Sequence, residues 1–255
     1  VNKTKTAAYR APGVPAAAFA IESIIDELAE KLEIDPIAIR IQNAAEEGTR
    51  RHDGVLAPSM AVKELLEEAQ ATEHWNAELS DPSIGRGIAI GAWGNAGLES
   101  NAYASINSDG TINLNTGSVD IGGQRASLAM QLAETLGVEY DSIKPQVVDT
   151  DSIGYTAVTG GSRTTFASGI AVVEVGNKLK EQIIDRIATF WEIDVSQIKY
   201  GDDGTLSGPE GKTIKFSGIG RILSRTGGTI QASATVKPNT QVPTFGCHIV
   251  DVKVD

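Results

Sequence analysis

Two glycine-rich turns constrain this chain more than any other feature, because each is predicted to carry a strand into a helix. The first is Val119-Asp120-Ile121-Gly122-Gly123-Gln124-Arg125-Ala126-Ser127, and the second is Thr159-Gly160-Gly161-Ser162-Arg163-Thr164-Thr165. A helix start leaves its first backbone N–H groups without intrahelical partners, and the helix dipole favours negative charge there. Each turn adds one arginine and small hydroxyl side chains, so each reads as a place for phosphate or another anion. Glycine pairs alone are ordinary turn residues. Their repetition with Arg125 and Arg163 is what points to a long, polyanionic ligand with more than one point of attachment.

Charge narrows the class of ligand. The formal net charge is −11 over 255 residues, which argues against a basic track for nucleic acid or an anionic membrane. Any anion must therefore be held by backbone amides and a few local arginines. No run of about 18 apolar residues is present, so no membrane span is expected, and no signal peptide is read at the start. Cys247 is the only cysteine. It permits no internal disulfide and makes a reducing cytoplasm the expected setting; it reads as a small buried hydrophobe beside a strand. His52, His74 and His248 are far apart and lack metal-ligand spacing, so no metal is expected to bind protein side chains directly. The chain opens at Val1 and ends in the alternating run Val250-Asp251-Val252-Lys253-Val254-Asp255. The expectation is an internal piece of something longer.

The pattern of elements changes once along the chain. Residues 15–32 predict a helix, with Pro15 in its first turn and an apolar stripe of Phe19, Ile21, Ile24, Ile25, Leu28 and Leu32. Asp35 caps a second helix running to about Ala45, with Pro36 at its first position. Ser59 is the expected cap of a third. After the break at Ser80-Asp81-Pro82-Ser83 the pattern turns to strands at 85–94, 98–106 and 111–116, with a hairpin signal at Ser108-Asp109-Gly110. A helix over 125–136 stopped by Gly137, a strand at 143–148, a long loop to Gly161 and a long helix from about Arg163 follow. A helix over 215–225 and strands at 229–235 and 245–254 complete the reading. The expected fold class is α+β, two subdomains of mixed sheets packed with helices rather than a doubly wound parallel sheet. The expected division is 1–80, a helical segment, and 81–255, an α+β domain truncated at its C-terminus.

No complete hydrolytic set is visible: there is no Ser-His-Asp pattern, no nucleophile elbow, and no Walker lysine after either turn. Asp149 and Asp151 read as loop or helix caps rather than magnesium ligands. Glu210, in Gly-Pro-Glu-Gly, reads as a hairpin tip. Tyr9-Arg10-Ala11-Pro12-Gly13 is a rigid turn that sets Arg10 just before the first helix. Arg10 can there be a surface cation paired to a carboxylate, or a cation facing a substrate or cofactor.

Taken together, these segments resemble the molybdopterin-binding subunit of the xanthine dehydrogenase, aldehyde oxidase and carbon monoxide dehydrogenase family. The resemblance is carried by Ala8-Tyr9-Arg10-Ala11-Pro12-Gly13, then Glu22, Asp26-Glu27-Leu28-Ala29, Asp35-Pro36, Arg40 and Asn43; by Asp120-Ile121-Gly122-Gly123-Gln124; by Asp149-Thr150 with Gly160-Gly161-Ser162-Arg163-Thr164; and by the strand ending at Asp255. It covers nearly the whole chain. It implies molybdenum bound in a molybdopterin cytosine dinucleotide, held by Gly122, Gly123, Gln124, Arg125, Gly161, Ser162, Arg163 and Thr164, with Arg10 facing substrate. It also implies oxidation of a small molecule by water-derived oxygen, with iron–sulfur and FAD subunits as partners alongside the rest of the molybdenum subunit.

Two departures qualify the resemblance. The first loop reads Gly-Gly-Gln where the family commonly has Gly-Gln-Gly, and Ala11 stands where glycine is frequent. The family's catalytic glutamate belongs to a late Gly-x-Gly-Glu motif that this sequence does not contain, so the piece itself is expected to be inactive and prone to self-association. The alternatives are a non-catalytic module that holds or hands on a phosphate-bearing ligand, and a structural domain whose glycine turns hold nothing.

Overall fold

The computed structural model describes residues 2–3, 8–238 and 243–255. The first elements are α1 (Val14–Leu32), α2 (Pro36–Asn43), α3 (Val62–Ala71), α4 (Glu73–Asn76), β1 (Ile84–Gly94), β2 (Ser100–Ile106) and β3 (Ile112–Thr116). They are followed by α5 (Gln124–Leu136), β4 (Ile143–Val147), α6 (Thr150–Ile153), α7 (Gly169–Trp191), β5 (Lys199–Tyr200), β6 (Thr205–Ser207) and β7 (Thr213–Lys215). The last are α8 (Ile219–Leu223), β8 (Gln231–Val236) and β9 (Pro243–Lys253). Helices and mixed sheets thus form an α+β fold.

The chain makes two compact units, Val1–Asn95 with Gln241–Asp255, and Ala96–Thr240. The break near Ser80 separates helices from strands, yet the units divide further on. β1 stays with the helices because it pairs along its whole length with β9, from Ile84↔Lys253 to Gly94↔Pro243, antiparallel. The final strand therefore returns to the first unit.

In that unit α2, α3 and the β1–β9 ribbon enclose Ile37, Val62, Leu66, Ala69 and Ile88. Asp35 caps α2 as expected, its carboxylate accepting from the Ile37 and Ala38 amides at 2.9 Å. The third helix starts later than Ser59, at an N-cap of Ala61 without a side-chain bond. Helix α1 departs most from the sequence reading. Its apolar stripe faces outward: Ile21, Ile24, Leu28 and Leu32 are exposed, and so is Phe19. The residues it buries are Glu22 and Ala29. Burying the Glu22 carboxylate is possible because Arg40 and the Ile90 amide both donate to it.

In the second unit a four-stranded sheet has the order β4-β3-β2-β8. β2 is antiparallel to both β3 and β8, while β3 and β4 are parallel. The parallel pair requires a crossover, and α5 supplies it. Alternation sets one sheet face: Ala102, Ala104, Ile106, Ile112 and Leu114 turn into a core with Leu128, Leu132, Val172, Val175 and Leu179 of α5 and α7. Helices α5 and α7 approach closely because α7 is glycine where they meet. A Cβ at Gly176 would lie 2.6 Å from Thr135 Cγ2. A small antiparallel sheet β5-β6-β7 completes this unit, and Glu210 sits at the tip between β6 and β7 in a left-handed conformation (φ 58°).

Candidate functional site

The parallel pairing of β3 and β4 decides where the glycine turns lie. Register Thr116↔Val147 aligns the carboxyl ends of the two strands, so the chain leaves both at the same edge of the sheet. After β3 it enters the first glycine turn, and after β4 it enters the segment that leads to the second. Open α/β sheets bind ligands at such carboxyl edges. Side chains tie the two segments together: Thr159 Oγ1 donates to the Val119 carbonyl at 3.1 Å, and Gln131 Nε2 donates to the Thr165 carbonyl at 3.2 Å.

The first turn is built around Asp120. Its Oδ1 accepts from the Gly122 amide at 2.8 Å and from the Gln124 amide at 3.3 Å, and its Oδ2 accepts from Arg125 Nε at 2.7 Å. Arg125, and then these amides, hold the Asp120 carboxyl down to about 2. The carboxylate thus occupies two of the amides that the sequence offers to a ligand. What stays available is specific. Gly122 and Gly123 have φ of 118° and 82°, and a Cβ on either would meet nothing within 4 Å. Open space lies over both, so the ligand side of the turn is bare backbone. Arg125 is exposed and uses only its Nε on Asp120, which leaves its terminal nitrogens for an anion. The Gln124 side-chain oxygen is buried with no hydrogen-bond partner.

The second turn is built differently. Gly161 has φ 70°, and Ser162 takes a left-handed φ of 54° that L-residues seldom adopt. Thr164 is buried, and its hydroxyl oxygen has no partner. Thr164–Ser168 winds as one π-helical turn before α7 begins, a feature often associated with functional sites. Arg163 points inward and has no exposed surface. Its Nε donates to the Gly97 carbonyl at 3.0 Å, and its Nη1 to the Ala157 and Val158 carbonyls at 2.9 and 3.3 Å. Its Nη2 donates to the Glu99 carbonyl at 3.0 Å and to Ser100 Oγ. A guanidinium has five N–H donors, and all five are used here. The sequence reads Arg163 as an anion ligand; the structure places it as a brace under the second turn. Burial pushes its pKa down from the usual arginine range.

Arg10 lies in the other unit and is exposed. It and Ala11 have left-handed φ values of 41° and 43°, and the turn closes with the Val14 amide on the Ala11 carbonyl at 3.0 Å. Asp149 caps α6 by accepting from the Asp151 amide at 2.9 Å. Cys247 is half-buried in β9, and burial raises its thiol pKa. Among the described residues no three His, Cys, Asp or Glu side chains gather as metal ligands do, and no helix is long and apolar enough to cross a membrane.

Sequence reasoning missed Ser100, Ser118 and Ser168, three buried serines beneath the turns. Isolated serines carry no pattern in a sequence, and only the folded sheet brings them together.

The sequence pattern of the molybdopterin cofactor-binding domain matches residues 56–255, and a second pattern of the same description matches residues 1–44. The chain belongs to the molybdopterin cofactor-binding domain family. Relatives of this domain include the xanthine dehydrogenase molybdenum-binding subunit of Escherichia coli O157:H7, 28% identical over all of this chain and 36% of that protein. The aldehyde oxidoreductase of Megalodesulfovibrio gigas is 30% identical over 70% of this chain and 21% of its own length. Among solved structures, quinoline 2-oxidoreductase from Pseudomonas putida 86 superposes with a TM-score of 0.79 at 21% identity, covering 96% of this chain and 36% of that one. CO dehydrogenase from Oligotropha carboxidovorans superposes at 0.77 and 20% identity, over 94% of this chain and 35% of that one. The molybdopterin-binding domain therefore spans about a third of the chains it resembles over its full length.

Proposed function

We propose that this molybdopterin-binding domain serves the large subunit of a molybdenum hydroxylase, and that its cofactor is the cytosine dinucleotide form. The observation that carries the reading is the pair of glycine turns at one sheet edge. One has open space over Gly122 and Gly123, and each is flanked by a buried side-chain oxygen without a partner, on Gln124 and Thr164. That donor and acceptor set fits a pterin and its phosphates: turn amides that Asp120 does not engage can donate to a close anion, and the buried oxygens can accept from ligand N–H donors.

When bound, the cofactor supplies a molybdenum centre that oxidises a small molecule with water-derived oxygen and passes electrons to iron–sulfur and FAD partner subunits. The residues here bind and orient it. Gly122 and Gly123 let the backbone approach, Gly161 and Ser162 present the second turn, and Gln124 and Thr164 accept hydrogen bonds. Arg125 offsets phosphate charge while keeping Asp120 ionised. Arg163 shapes the second turn from beneath. Arg10 faces substrate. The cytoplasm suits the reading, and the exposed apolar strip on α1 supports self-association of the isolated chain.

Elemental mass spectrometry with nucleotide release tests this on the full-length subunit purified with its partner subunits. The expected result is about one molybdenum and one CMP per chain. A well-folded complex holding neither would overturn it in favour of a non-catalytic module for another anion.

A further inference from the structure

We infer that Ser100, Ser118 and Ser168, with the Arg163 guanidinium, form a buried bracket that sets the separation of the two glycine turns, and that the three serines are positioning residues for a ligand gripped by both. This deepens the proposed cofactor role and rests on it for the identity of the ligand.

The bracket is continuous. Ser118 lies two residues before Asp120, at the stem of the first turn; Ser168 closes the π-helical turn that follows Arg163, at the stem of the second; Ser100 opens β2. Ser118 Oγ and Ser168 Oγ are 2.8 Å apart, and Ser168 Oγ donates to Ser100 Oγ at 3.4 Å. Arg163 Nη2 donates to Ser100 Oγ from the other side. Either hydroxyl of the close Ser118–Ser168 pair can supply the proton between them. All four side chains are buried.

Three hydroxyls and a cation in a core cost more than the apolar side chains that could fill the same volume. What such a network provides is a fixed geometry, since each hydroxyl bond defines a distance and a direction. The neighbours act to the same end. A Cβ on Gly117 would come 2.8 Å from Thr156 Oγ1, and one on Gly169 2.2 Å from Gln131 Oε1. The two stems are therefore pressed together on either side of the serines. A ligand held at two points gains most from a separation fixed in advance, because no ordering is left for the binding step.

Hydrogen exchange on the 255-residue chain tests the bracket without any ligand. Ser118→Ala and Ser168→Ala should each speed exchange about tenfold in both turns, around residues 119–126 and 158–164, and leave the β5-β6-β7 sheet unchanged. Ser118→Thr, which keeps the hydroxyl, should restore slow exchange. Ser127→Ala, which removes only a bond from Ser127 Oγ to the Gly123 carbonyl, should loosen the first turn alone. Unchanged exchange, faster exchange confined to the mutated turn, or an even acceleration over the whole chain that Ser118→Thr fails to reverse would each overturn the bracket. Molybdenum content of the full-length subunit separates the two layers. Loss of metal in Ser168→Ala with coupled exchange supports both. Coupled exchange in the serine variants, together with a wild-type subunit that holds no molybdenum, keeps the bracket and removes the cofactor reading.

Discussion

Arg40 Nε donates to Glu22 Oε2 at 2.9 Å, with the two side chains only 1% and 9% exposed. The same carboxylate oxygen accepts the Ile90 amide at 2.8 Å, so one buried charge fastens α1 both to α2 and to β1. Arg40 also reaches Asp26 Oδ1 and the Pro36 carbonyl, each at 2.8 Å. Removing one partner of a buried pair strands the other. Arg40→Ala is expected to cost about 3 kcal/mol in urea unfolding, most of it from the uncompensated Glu22 carboxylate. Arg40→Ala combined with Glu22→Gln should recover part of that loss. A single variant as stable as the parent would mean that water reaches Glu22 freely.

Asp120 links the first turn to pH. Its carboxyl sits at about 2 in the folded chain against an ordinary 3.8, so the unfolded chain takes up the proton first as pH falls. The stability it contributes is complete above about pH 4 and is lost as pH falls through about 2. Asp251, held down to about 2 by Arg86 and then His74, behaves alike in the first unit. Urea midpoints of parent and Asp120→Asn should therefore differ most near neutrality and converge toward about pH 2. A gap of constant size across that range would show that the ionised carboxylate is not what the turn uses.

The glycines separate into two kinds. Gly137 ends α5 at φ 64°, and a Cβ there would stand 2.3 Å from the Asp202 carbonyl oxygen and from the Gly204 amide nitrogen. Gly137→Ala is expected to cost about 3 kcal/mol or more, from crowding added to left-handed strain. Gly123→Ala should cost only about 1 kcal/mol, because its Cβ meets open space. Its effect should appear in the assembled subunit, as lost molybdenum with little change in unfolding midpoint. Full metal content in Gly123→Ala would show that the ligand does not approach this backbone.

Helix α1 carries Ile21, Ile24, Leu28 and Leu32 outward along adjacent turns. An exposed strip of this kind drives association in water. Light scattering of the 255-residue chain should show a molar mass that rises with concentration, and Ile24→Asp with Leu28→Asp should abolish the rise. A monomer at every concentration would mean that the strip is too dispersed to hold a second copy.

The start of α2, the end of α5, the hairpin and both glycine turns were legible because they depend on local chemistry: Asp35 before Pro36, Gly137 after Leu136, Asp109-Gly110 between strands; the start of α3, at an Ala61 without a side-chain bond, was not. Facing was less legible. The stripe on α1 has helical spacing, yet spacing cannot say which side of a helix the rest of the chain covers, and a buried Glu22 is visible only once Arg40 and Ile90 arrive. The pairing of β1 with β9 was hidden for the same reason, since its partners lie at opposite ends of the unit's sequence. Arg163 gives the sharpest case. A cation after a glycine pair has the same signature whether it points to a ligand or down to five protein acceptors.

The two arginines of the turns should therefore respond oppositely to substitution. Arg163→Lys keeps the charge but replaces a planar five-donor fork by one compact ammonium, which cannot reach acceptors on Gly97, Glu99, Ser100, Ala157 and Val158 at once. It should cost about 3 kcal/mol in urea unfolding and loosen the 96–99 and 157–163 segments toward protease. Arg125→Ala touches an exposed side chain whose one bond is to Asp120. It should lower the unfolding midpoint by no more than Asp120→Asn does, since the exposed pair is all it removes from the fold, while weakening retention of the cofactor, read as molybdenum lost on dialysis of the assembled subunit. The reverse pattern, a stable Arg163→Lys that loses metal and an unstable Arg125→Ala that keeps it, would exchange the roles of the two residues and make Arg163 the anion ligand its position in the sequence suggests.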